Sequence, residues 1–75
     1  MERLNHIISK YLKIPEDKLV DSISYETESN WDSVNHLKMI AEIEETFNLE
    51  FDIDEITSLE TVGKIRELVA KKIKK

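Results

Sequence analysis

The 75-residue chain contains no cysteine, one glycine (Gly63) and one proline (Pro15). Without cysteine there is no disulfide, no thiolate metal site and no cysteine nucleophile, which suits a reducing cytoplasmic setting. So little glycine and proline argues against an all-β fold, which needs repeated tight turns. No apolar run reaches the length of a membrane span, and no basic start leads into a hydrophobic secretion segment. A soluble cytoplasmic protein without membrane contact is therefore expected. The length allows one small domain, residues 1–75, with a modest core and marginal stability, and a monomer is expected.

Charge is distributed unevenly. The net charge is −5, but from Lys64 onward six basic residues face the single acid Glu67, giving +5 against −10 for residues 1–63. An acidic body repels nucleic acid and anionic membrane and suits partners with a basic docking surface. Lysines at the end of a final helix are the usual complement to its dipole, so no nucleic-acid role is read from them. Residues 71–75 are expected to fray into a basic tail.

Hydropathy patterning predicts an all-α fold. Leu4, Ile7, Ile8, Tyr11 and Leu12 repeat at helical spacing over 2–13, and Pro15 ends that helix by restricting the residue before it. Residues 15–31 form a long irregular connection, with one helical turn at Pro15–Leu19. Its scattered apolar residues predict that it packs down on the bundle. A second helix is expected from Ser33 to Phe47. Two neighbouring stripes, Val34/Leu37/Ile40/Ala41 and Met39/Ile43/Phe47, would give it one broad buried face. Asn35, Lys38, Glu42, Glu45 and Thr46 form the opposite, solvated face, with Glu44 also polar. Leu49 to Ile53 alternates like a short strand but has no partner strand, so a loop anchoring Phe51 and a short helix over Asp52–Ser58 are preferred. Thr61 caps a last helix with the buried stripe Val62, Ile65, Leu68, Val69 and Ile73. The expected architecture is a small four-helix bundle, three longer helices and one short, with a long loop between the first and second.

Catalytic machinery is missing. His6 and His36 lie on different predicted helices, neither with a carboxylate at ligand spacing. A Ser33–His36 nucleophile pair would stand exposed on a domain too small to enclose substrate. Asp52-Ile53-Asp54-Glu55 resembles the opening of a calcium loop, but Ile56 and Thr57 stand where a ligand and the turn glycine belong. No metal site and no enzyme activity are expected. The neighbouring acids Glu42, Glu44, Glu45, Asp52, Asp54 and Glu55 are expected to repel one another, leaving a weak, diffuse stabilisation by divalent cations. The chemistry concentrates instead at Asn30-Trp31-Asp32-Ser33-Val34, where an irregular segment meets a long helix. Asp32 or Ser33 is the N-cap by residue preference; equally, a phosphate on the Ser33 hydroxyl would be stabilised by the helix terminus.

Asp32-Ser33-Val34 resembles the Asp-Ser-Leu attachment motif of acyl carrier proteins, with valine in place of leucine. The register continues through Leu37, Met39, Ile40, Ile43, Glu44-Glu45 and Phe47. Phe51, the acidic Asp52–Glu55 turn, Leu59 and Thr61-Val62 extend it, so the match runs from about Trp31 to Val69. The resemblance implies that Ser33 receives 4′-phosphopantetheine from coenzyme A through a separate magnesium-dependent phosphopantetheinyl transferase. The added arm ends in a thiol that carries acyl groups as thioesters, so the working thiol is attached rather than encoded. It further implies docking of acyl-loading and acyl-processing enzymes, through basic patches, on Asp32, Val34, Asn35, Lys38, Met39, Glu42, Glu44, Glu45 and Ile56. Trp31, Met39 and Leu59 would line the arm or an acyl pocket.

Two departures qualify the resemblance. Asn35 and Lys38 stand where the family's recognition helix is usually acidic, which points to a dedicated partner set rather than the general fatty-acid synthesis enzymes. Trp31 and His36 beside the motif resemble free-standing carriers of specialised pathways, although Trp31 also fits a loop residue pinned onto the bundle. Two alternatives stay open: an armless helical interaction module docking through its second helix, and an aminoacyl or peptidyl carrier.

Overall fold

The second helix begins where its cap chemistry dictates. Asp32, in extended backbone, accepts a hydrogen bond from the Asn35 amide at 2.8 Å, and α2 runs Ser33–Phe47. The computed structural model describes residues 2–73 and places α1 at Glu2–Leu12, α2 at Ser33–Phe47, α3 at Ile53–Ser58 and α4 at Val62–Ile73. The all-α bundle with three longer helices and one short helix is therefore present. A single isolated pairing of Ser24 with Thr61 is the extent of β structure among the described residues.

Each boundary has a local cause. The first helix ends at Leu12 because Lys13 turns into the left-handed region (φ 59°), before Pro15 can exert its own restriction. Asn48 ends α2 in the same left-handed conformation, which asparagine adopts more readily than most residues. Asp52 and Glu55 form a reciprocal capping box at the start of α3, so Asp52 lies outside that helix rather than opening it. Thr61 caps α4 by accepting from the Lys64 amide at 3.1 Å. Of the residues expected to fray, Lys71, Lys72 and Ile73 are helical, while Lys74 and Lys75 lie outside the described residues. Lys72 is anchored, lying over the Phe51 ring and pairing with Glu55 at 3.0 Å.

The core draws Leu4, Ile7, Ile8 and Leu12 from α1, Met39, Ile40 and Ile43 from α2, and Val62, Ile65 and Val69 from α4. Leu19, Trp31, Phe51 and Leu59 join it from the connections. No residue of α3 is fully buried. That helix rests on half-buried Ile56 and on polar ties, a point that bears on the site.

The long first connection is packed down, as its apolar residues predict. Pro15 caps a single 3₁₀ turn at Glu16–Lys18, and Leu19 is buried. Arg66 of α4 reaches across, donating to Asn5 Oδ1, to the Leu19 carbonyl and to the Asp21 carboxylate. Tyr25 N–H donates to the Glu60 carbonyl, and Val62 N–H to that of Ile23. Gly63 permits the closest approach. A Cβ there would meet the Asp21 side chain at 2.9 Å, and its amide donates to the Asp21 carbonyl at 3.1 Å.

Candidate functional site

Ser33 is the first residue of α2 and is solvent-exposed. The ambiguity between two possible caps is resolved by division of labour. Asp32 caps, and the Ser33 hydroxyl makes no hydrogen bond among the described residues. A helix start leaves four amides without an intrahelical acceptor, here those of residues 32–35; Asn35's goes to the Asp32 carboxylate, and the His36 amide makes the first intrahelical bond, to the Asp32 carbonyl. Those of Ser33 and Val34 have no acceptor in the helix. A phosphodiester on Ser33 Oγ would therefore sit beside two free donors at the positive end of a fifteen-residue helix, a setting that favours an anion by about 0.3–1 kcal/mol. The residues present fit a phosphate-linked group.

The face that α2 presents beside Ser33 differs from the one expected. Both apolar stripes were expected in the core, yet only Met39, Ile40 and Ile43 are fully buried. Val34 and Leu37 are 59% and 58% exposed, and Ala41 is exposed as well. At 100° per residue, positions 34, 37 and 41 fall on the arc away from Met39 and Ile43, so one helix cannot bury both sets. The result is an outward apolar strip running down from Ser33. Lys38 and Glu45 flank it, exposed and in no ion pair among the described residues.

Several residues expected at the docking surface are used inside the molecule instead. Met39 is fully buried and belongs to the core. Asn35 is half-buried and donates through its side chain to the Asn30 carbonyl at 2.8 Å. Glu42 turns toward α1, where Lys10 Nζ donates to both its oxygens at 2.8 Å and the Tyr11 hydroxyl donates at 2.7 Å. Glu44 accepts from the Phe51 amide at 2.8 Å and so holds the α2–α3 connection. Ile56 is half-buried against the core. Asp32, Val34, Lys38 and Glu45 remain on the outer surface. Leu37 and Ala41, which the sequence reading assigned to the core, join them. The signal for this was present: apolar positions covered more of the helical wheel than one interface can bury.

Two of the acids expected to repel one another, Glu42 and Glu55, have partners of their own. Lys10 and the Tyr11 hydroxyl hold Glu42 below its ordinary value of 4.5. The Asp52 amide, helped by Lys72, lowers Glu55. Stability from Glu42 is therefore present in full above its unfolded pKa and lost as pH falls through its lower folded one. Glu42→Gln is expected to lower the urea midpoint modestly at pH 7 and to have little effect at pH 3. An equal loss at both values would contradict the ionic role.

Trp31 is 2% exposed, packed in the core, and is not among the residues lining the groove beside Ser33. Its indole N–H donates to His36 Nδ1 at 2.9 Å. Indole nitrogen only donates, so Nδ1 must be the acceptor, and Nε2 then carries the ring hydrogen. That hydrogen goes to the Ile56 carbonyl at 2.9 Å. Both imidazole nitrogens are thus committed, and neither is turned to Ser33 as a base. Leu59 lies with Tyr25, His36, Leu37 and Ile56 along a groove of about 330 Å³ beside Ser33. The relay through His36 was invisible in sequence because its acceptor is a backbone carbonyl twenty residues away.

Comparison with known proteins agrees with this geometry. The family model described as a phosphopantetheine attachment site matches residues 2–70. The chain is similar to the acyl carrier protein of Buchnera aphidicola subsp. Schizaphis graminum, 31% identical over 99% of this chain and 94% of the relative. It is likewise similar to that of Thermosynechococcus vestitus, 26% identical over 97% and 90%, and to that of Lactobacillus johnsonii, 25% identical over 89% and 84%.

Proposed function

The chain belongs to the phosphopantetheine-attachment family of acyl carrier proteins, and from that premise we propose that Ser33 carries the 4′-phosphopantetheine arm and presents acyl intermediates to partner enzymes. The observation that carries the assignment is the exposed Ser33 hydroxyl, free of hydrogen bonds and next to an aspartate that does the capping in its place. When attached, the arm supplies a thiol that holds acyl groups as thioesters. Everything else falls to the protein: Asp32 fixes the first turn of α2, the unpaired Ser33 and Val34 amides face the phosphate position, and the bundle holds the helix rigid. The protein is on this reading a substrate and escort, and chemistry belongs to its partners.

Partners dock on the outward strip of Val34, Leu37 and Ala41. An apolar centre with polar flanks is the usual anatomy of a binding face. A transferase first, then the enzymes that load and process fatty acyl or polyketide units, would read this strip. Lys38 stands one turn beyond Ser33 and selects against a uniformly basic docking groove. Partners suited to this chain place an acceptor opposite Lys38 and a basic group opposite Glu45. Lys38→Glu is therefore expected to speed modification by a basic-grooved transferase up to about fivefold, the equivalent of the roughly 1 kcal/mol an exposed ion pair contributes. The gain should vanish in high salt. Slower modification by the variant would contradict this docking pose.

The proposal is tested by incubating the protein with coenzyme A, magnesium and a broad-specificity transferase, then measuring intact mass. A gain of one phosphopantetheine is expected. An unchanged mass would instead favour an armless interaction module using the same strip.

A further inference from the structure

We propose that Asn35 is a positioning residue for the modification of Ser33: it holds the attachment turn from inside the protein and is not read by the partner. This deepens the carrier reading above and rests on it.

The chain caps two helices with related residues and uses them differently. At the start of α3, Asp52 accepts from the Glu55 amide, and the Glu55 carboxylate accepts in return from the Asp52 amide at 3.0 Å. Asp32 and Asn35 stand in the same two places at the start of α2. The first half of the pattern is kept, with the Asn35 amide donating to Asp32 at 2.8 Å. The second half is replaced. Asn35 Nδ2 reaches back across the motif and donates to the Asn30 carbonyl at 2.8 Å. A carbonyl oxygen takes a bond from a donor only, so the place calls for an amide; a carboxylate would set oxygen against oxygen.

This bond is one of two that bracket Ser33. His36, the next residue, accepts at Nδ1 from the Trp31 indole at 2.9 Å, a tie that likewise spans five residues. Each tie continues to a different neighbour. Asn30 Nδ2 donates at 3.2 Å to the carbonyl of Leu12, the last residue of α1, where the helix end leaves acceptors spare. His36 Nε2–H reaches the Ile56 carbonyl in α3. Ser33 thus rides on a turn fixed to α1 on one side and to α3 on the other. Asn35 is half-buried in this arrangement, its side-chain amide committed to Asn30.

The transfer depends on where the serine oxygen points. Ser33 Oγ forms a bond to the pantetheine-bearing phosphorus of coenzyme A as the bond from that phosphorus to the bridging oxygen breaks. Adenosine 3′,5′-bisphosphate leaves with the electron pair, and the hydroxyl proton passes to a base on the transferase. A small misplacement of the attacking atom slows such a step steeply, so a loosened turn costs rate.

The test is single-turnover modification with coenzyme A, magnesium and a basic-grooved transferase, read as maximal rate and half-saturating concentration. Docking and positioning give opposite forecasts for Asn35→Asp. A docking residue made acidic would lower the half-saturating concentration and leave the maximal rate alone. A positioning residue deprived of its donor lowers the maximal rate, by about threefold to tenfold for one hydrogen bond. Stability should stay close to the parent's, since an acid suits the first turn of a helix. Asn35→Ala and Asn30→Ala should each slow the maximal rate, and the double variant should be no slower than the worse single, because both break one tie. Thr61→Ala removes the cap of α4, a comparable loss of stability away from Ser33, and should leave the rate unchanged.

An unchanged maximal rate in Asn35→Asp, additive losses in the double variant, or equal slowing in Thr61→Ala would each overturn the proposal. Those results leave the parent protein modified, with the carrier reading intact. A parent that gains no mass overturns the carrier reading and this inference together.

Discussion

Ser33→Ala abolishes the mass gain on incubation with coenzyme A and a transferase while leaving the fold unchanged. Loss is complete because the hydroxyl oxygen is the atom to which the phosphate is joined; nothing else in the first turn of α2 can substitute for it. The fold survives because the hydroxyl supports none of it. Ser33 is exposed and makes no hydrogen bond among the described residues, and the cap is supplied by Asp32. Alanine is also the better helix former, so stability should stay within about 0.5 kcal/mol of the parent or rise slightly. Asp32→Ala provides the contrast: it removes the cap and should cost about 1 kcal/mol. Intact mass and a urea titration on each variant check both halves. A mass gain that persists in Ser33→Ala would move the attachment elsewhere.

Trp31→Ala has the largest expected effect on stability. The side chain is 2% exposed, and truncating a buried tryptophan costs about 3–5 kcal/mol. A chain of this length has roughly 4–11 kcal/mol in total, so the variant keeps a fraction of its margin. The loss is compounded because His36 Nδ1 is left without its donor, freeing the ring that ties α2 to α3. Trp31→Phe isolates that second contribution: it refills most of the volume but restores no donor, and should cost about 1–3 kcal/mol. Urea midpoints followed by far-ultraviolet circular dichroism give both values. A Trp31→Ala change below about 1 kcal/mol would show that the tryptophan is not the core wedge its burial indicates.

Local chemistry made most of the fold legible. The α2 boundaries follow from Asp32 and from apolar spacing that ends at Phe47, and the start of α4 follows from Thr61. The same reasoning singled out Ser33 as a position where a phosphate would be stabilised, but left it level with an ordinary helix cap; its reading as an attachment point came from the resemblance to acyl carrier proteins. The face of α2 was misread because Val34, Leu37 and Ala41 are as apolar as the residues that are buried, and hydropathy does not say where a helix's neighbours stand. Glu42 and Glu44 were misplaced for a related reason. Their partners, Lys10 and the Phe51 amide, are brought near by folding alone. The Trp31–His36–Ile56 relay ends on a backbone carbonyl, a kind of partner that residue types cannot signal. The bond from Arg66 to the Leu19 carbonyl belongs to the same class.

The most direct measurement is the covalent state of Ser33 in protein isolated from the cells that make it, read by peptide mass spectrometry. The account predicts a phosphodiester-linked pantetheine on the Ser33 peptide, part of it bearing an acyl thioester. A Ser33 hydroxyl found uniformly unmodified in the folded protein would contradict it.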